Sequence, residues 1–149
     1  MRLPRLVKLP ALALIAFGCS DATAPPVLAR YSLESINGQQ PPTTVHSLDG
    51  YTVTVISSTL ILDVRRHATL VERVEFTFPD SRTTETTETR RYTYQIAGDD
   101  VSFQHLHLCP PNALCVAPPS GRLTGSTLIL TYSADSFSRT DQYRLALPD

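Results

Sequence analysis

Apolar and polar residues alternate with a period of two through most of this chain, and no window of ordinary helix length carries an i, i+3, i+4 apolar stripe. Residues 52–55 read Thr-Val-Thr-Val, 74–78 read Val-Glu-Phe-Thr-Phe, and 91–96 read Arg-Tyr-Thr-Tyr-Gln-Ile. Residues 59–64, 101–103, 127–132 and 141–147 are further β-rich runs. Turn signals separate them: Pro79 ends one run, 97–100 (Ala-Gly-Asp-Asp) form a hairpin turn, and Gly125-Ser126 form another. The pattern predicts an all-β fold of about eight or nine short strands, joined mostly by hairpins. Closing them into a single antiparallel up-and-down barrel of about eight strands removes the exposed edges that so many β-branched residues would make hazardous.

Two stretches interrupt the rhythm. Residues 80–90 hold no apolar side chain and read as a long solvated hairpin tip. Residues 109–121 carry four prolines, which excludes a central strand and predicts a rigid surface loop. Cys109 and Cys115 flank the start of that loop. In an oxidising compartment they pair, closing a small loop worth roughly 2–2.5 kcal/mol on the loop-entropy model. A zinc pair is the alternative, but no CxxC partner is nearby.

The start of the chain indicates such a compartment. Arg2, Arg5 and Lys8 precede an apolar run over 9–17, then Gly18-Cys19. A basic start, a short apolar core and a small residue form an export signal. The apolar core, about nine residues, is too short for a membrane-crossing helix, which needs roughly 20. A Cys directly after a small residue resembles the lipobox of bacterial lipoproteins. That resemblance implies cleavage after Gly18, acylation (palmitate among the chains) of Cys19, and, with Ser20 next, delivery to the outer membrane or the outer face of the cell membrane. Residues 1–18 are then the signal peptide and 19–27 the lipidated Cys with a small, polar, Pro-bearing tether; 28–149 are the folded domain. The chain holds 13 basic and 14 acidic residues, and losing the three basic residues of the signal leaves 10 against 14. A mildly acidic domain is a poor nucleic-acid partner.

The order Tyr-Ser-Leu-Glu-Ser-Ile-Asn-Gly (31–38), Ser-Ser-Thr-Leu-Ile-Leu (57–62), Tyr-Thr-Tyr-Gln-Ile-Ala-Gly-Asp-Asp-Val-Ser-Phe (92–103) and Gly-Arg-Leu-Thr-Gly-Ser-Thr-Leu-Ile-Leu (121–130) resembles the lipocalin-like barrels of uncharacterised bacterial lipoproteins. The resemblance implies an eight-stranded barrel behind a lipobox and a tether. It brings no functional residue with it.

Candidate chemistry comes from strand phase. Leu70, Glu72, Val74, Phe76 and Phe78 share a face, and Glu72 is the carboxylate among apolar neighbours. An inward carboxylate is costly unless paired or hydrogen-bonded, so it would mark a site. Val101, Phe103, His105 and His107 also share a face. If both faces point inward, Glu72 and the two imidazoles line one polar spot; a bulge near Val71 or Gln104 would turn them outward instead. Tyr94 and Tyr132 add aromatic lining for a small ligand. The braced loop offers a second reading: Asn112 and Leu114, presented rigidly, suit a protein partner or an inhibitor contact. No Gly-x-Ser-x-Gly, phosphate loop or His-Glu-x-x-His is present, so the sequence predicts no catalytic residue, no metal and no cofactor. The expected function is an extracytoplasmic, membrane-anchored, non-enzymatic binding module for a small apolar or amphipathic ligand.

Overall fold

The computed structural model describes residues 27–107, 117–134 and 137–146. Among them the chain is entirely strands and turns. The strands are β1 (Val27–Ile36), β2 (Thr43–Leu48), β3 (Tyr51–Asp63), β4 (His67–Thr77), β5 (Thr83–Ala97), β6 (Asp100–His105), β7 (Ser120–Thr124), β8 (Thr127–Ala134) and β9 (Phe137–Leu145).

From β3 to β9 each strand pairs antiparallel with the next, and β1 closes the ring by pairing with both β9 and β3. The result is a closed eight-stranded antiparallel barrel with β2 as an extra strand. β3 is long enough for two partners on one edge: 59–63 pair with β1 and 51–55 pair with β2. β1 leaves that edge at a two-residue hairpin turn, Asn37-Gly38, whose positive φ values of 49° and 81° suit a primed turn. The predicted turns at 97–100 and 125–126 also fall between strands.

The expectation for 80–90 needs correcting. Only the segment around 78–82 is a turn, closed by Phe78 and Arg82, and β5 already begins at Thr83. Thr is β-branched and fits a pleated surface, so a run without apolar residues still forms a strand, with both faces wet. Arg73 and Glu85 brace it across the ladder at 2.6 Å.

An eight-stranded barrel is just wide enough for side chains to fill. We call the end holding the β3–β4, β5–β6 and β7–β8 turns the base, and the opposite end the mouth. The lower interior is apolar: Leu60, Leu62, Leu70, Phe103, Leu128 and Leu130 are buried there among tyrosines. Each such side chain contributes roughly 1.5–3 kcal/mol by leaving water. The packing is close at Gly121, where an added Cβ would lie 3.0 Å from the Val101 side chain and 3.1 Å from that of Phe103.

Candidate functional site

Above the apolar core the interior turns polar. On β4 the inward phase runs Ala68, Leu70, Glu72, Val74, so the same alternation that buries two apolar residues carries Glu72 inside, 2% exposed. On β9 the inward phase is Arg139, Asp141, Tyr143, all buried. On β5 it is Glu88, Arg90, Tyr92, with Glu88 and Arg90 half-buried.

These positions meet. Arg139 binds Asp141 with two hydrogen bonds, Nε to Oδ1 at 2.7 Å and Nη2 to Oδ2 at 2.6 Å. Its Nη2 also donates to Glu72 Oε1 at 2.7 Å. The other Glu72 oxygen pairs with Arg90 Nη1 at 2.9 Å, and Arg90 Nη2 reaches Glu88 at 2.7 Å. Glu72 therefore bridges a buried guanidinium and one 31% exposed. Tyr143 and Ser58 share a 2.9 Å hydrogen bond below the cluster. The Arg139 guanidinium lies 5.4 Å from the Tyr132 ring centroid, a cation–π arrangement. The buried Tyr132 hydroxyl meets no hydrogen-bond partner.

Burial and charge act against each other here. Burial pushes the Asp141 carboxyl up, and Arg139 opposes it without winning. Burial disfavours charge on Arg139, yet Asp141 and Glu72 outweigh it and hold the guanidinium charged. Arg90 behaves alike: burial opposes its charge, while Glu72 and Glu88 secure it. Burial raises the hydroxyls of Tyr132 and Tyr143, so both stay protonated.

The cluster reaches the surface sideways. β6 ends at His105 while β5 continues upward from Tyr92, so among the described residues the edge of β5 beyond the Leu106–Arg91 backbone bond has no β6 partner. The notch there, about 450 Å³, is lined by Thr89, Arg90, Arg91, His105 and His107. Upward, the inner face of the extended β2–β3–β4–β5 sheet carries aromatics. Tyr51 stacks on Phe76 with ring centroids 6.1 Å apart and meets Phe78 edge-on at 5.8 Å, all three half-buried. Four residues of strand, about 13 Å, separate Glu72 from Phe76. The arrangement is a polar floor beneath an aromatic wall.

The residues singled out from sequence fall in three places. Glu72 and Tyr132 lie together in the polar layer. Tyr94 is inward but at the base, where its hydroxyl donates to the Asp63 carbonyl at 3.0 Å. His105 and His107 are exposed in the notch; His105 lies against Tyr92 with ring centroids 5.4 Å apart. Glu72 and the imidazoles are thus not one spot, and Arg90 stands between them, pairing with Glu72 and lining the notch. Two arginines beside the histidines are poor company for a cation, and no group of three or more His, Cys, Asp or Glu is arranged to hold a metal among the described residues. Cys19, Cys109, Asn112, Leu114 and Cys115 lie outside the described residues. Sequence reading missed Arg90, Arg139 and Asp141. The last strand was started at 141, and both faces of β9 are polar, so alternation gave no side. A depression of about 740 Å³ lies elsewhere, around β6 and β7, and holds none of these groups.

The fold is a small closed barrel of eight antiparallel strands with one extra strand, and polar groups gather under one mouth, an architecture consistent with a lipocalin-like barrel. Comparison with protein-family models, with curated proteins and with solved structures returned no match.

Proposed function

We propose that this protein is a lipid-anchored, extracytoplasmic binding module for a small amphipathic ligand. Cys19 carries the acyl chains, residues 20–26 link it to the barrel, and the barrel stands on the outer membrane or the outer face of the cell membrane. The ligand lies at the mouth, its polar end toward Arg90 and the notch and its apolar body along Tyr51, Phe76 and Phe78. The observation that carries this reading is Arg90: it is anchored inside by Glu72, lines the notch, and lies under an aromatic wall. The packed lower core leaves the mouth, rather than the barrel axis, as the place for a guest. The reading assigns no catalytic step, because Glu72 and Asp141 are both tied to guanidiniums rather than poised to move a proton.

Native mass spectrometry of the protein taken from its own membrane in nanodiscs tests this. The expected spectrum carries acyl mass on Cys19 and a non-covalent adduct that the double variant Tyr51→Ala/Phe76→Ala loses. Acyl mass without any adduct contradicts the ligand; absence of acyl mass contradicts the anchor.

A further inference from the structure

The exposed apolar residues are unevenly placed. Of seven exposed large apolar residues, five (Val27, Leu28, Val64, Ile96 and Leu145, 53%, 60%, 53%, 46% and 37% exposed) sit at the base, and two, Leu48 and Phe137, 61% and 39% exposed, sit apart at the mouth. Leu28, Val64 and Ile96 come together around one depression with Arg66 and Tyr94. Solvent-facing apolar side chains gathered at one end of a barrel mark a contact surface. Strand β1 also enters the barrel there, at Val27.

Two observations indicate what covers this end. The first is chain length. Only seven residues, 20–26, lie between Cys19 and Val27, and the eight steps from Cys19 to Val27 reach at most about 29 Å even fully extended. If Cys19 is acylated, the base is the end nearest the bilayer. The second is charge. The base carries Arg30, Arg65, Arg66 and Arg122 against Asp63, Asp99 and Asp100, and the Asp63 carboxylate is engaged by the backbone N–H groups of Arg65 and His67. The mouth has the opposite balance, with Asp49, Glu75, Asp80 and Glu85 against Arg73 and Arg82. An apolar rim flanked by arginines suits the headgroup–acyl boundary of an anionic bilayer.

We propose that the base of the barrel is a membrane-docking face that seats Leu28, Val64 and Ile96 in the bilayer to which Cys19 is anchored, holding the mouth away from it. This rests on the anchor reading above. The lipid chains alone would leave the barrel free to tumble on its tether; the rim fixes its orientation.

The chain contains no Trp, so a single Trp reports its own position. Mature, acylated Val64→Trp and Ile96→Trp reporters, and a Leu48→Trp reporter at the mouth, are placed in phosphatidylglycerol-containing vesicles with brominated acyl chains. The two base reporters should blue-shift and lose about half or more of their emission, since docked apolar side chains sit about 5–10 Å into the boundary; the mouth reporter should be unchanged. Adding Arg65→Glu/Arg66→Glu should restore most of the lost emission while the protein stays on the vesicles. Unquenched base reporters on a protein carrying acyl mass, or equal quenching at both ends, overturn the docking face and leave the anchor standing. A protein without acyl mass overturns both.

Discussion

At the residue scale the decisive group is Arg139, because it neutralises two carboxylates inside a closed wall. Removing one partner of a buried ion pair leaves the others uncompensated, at a cost of about 3–5 kcal/mol. Arg139→Ala should lose that much stability in urea unfolding. The Arg73→Ala change, at a pair half exposed on both sides, should cost less than about 1 kcal/mol. Similar losses from both would mean that the cluster is no more buried than the surface. Tyr132→Phe should act in the other direction. It removes a buried hydroxyl without a partner and keeps the ring under Arg139, so stability should hold or rise by about 1 kcal/mol. A loss above that would show that the hydroxyl is satisfied in solution.

Asp141 gives a pH signature. Its folded midpoint lies above that of the unfolded chain because burial outweighs Arg139. The folded state therefore holds this proton more tightly. The group's contribution to stability is fully present below the ordinary carboxylate range and declines as pH rises through the raised midpoint. A ¹³C titration of the Asp141 carboxyl should show a midpoint above the usual 3.8; a midpoint below it would mean that the guanidinium wins.

At the scale of elements, alternation was a sufficient guide wherever one face of a strand is apolar. In β4, Leu70 and Val74 set the phase, and Glu72 follows them inside. In β8, Leu128 and Leu130 do the same for Tyr132. The rule gives no side where both faces are polar, which is why Arg139 and Asp141 were invisible and why the first turns of β5 looked like loop. It also says nothing about cover at a strand's end. His105 is in phase with Val101 and Phe103, but β6 pairs with β7 only over 100–102, and among the described residues the imidazole is exposed. Packing at the β6–β7 seam gives a sharp test. Gly121→Ala places a methyl group against Val101 and Phe103, so overpacking should cost about 1–3 kcal/mol. An unchanged unfolding midpoint would show that the seam is looser than the contacts indicate.

At the scale of the whole molecule, the chain divides its labour along the barrel axis. The lower storey is apolar and packed, the next is ionic, and the mouth carries the half-buried aromatics, with buried Val55 and Val74 between them and the ionic layer. Closure makes this possible. Once β1 pairs with both β3 and β9, a strand face has a definite inside, and the few polar residues there meet whatever their distance in sequence; Glu72 and Arg139 are 67 residues apart. No local pattern encodes that meeting.

The most direct measurement is an NMR titration of the mature protein with decanoate, following the amides and rings of the mouth. A guest held between Arg90 and the aromatic wall should shift Arg90, Arg91, Val74, Phe76 and Tyr51 in a saturable way, and Tyr51→Ala/Phe76→Ala should weaken the response at least tenfold. Unmoved Arg90 and Phe76 signals, or a response that the double variant leaves intact, would contradict a ligand site at this mouth.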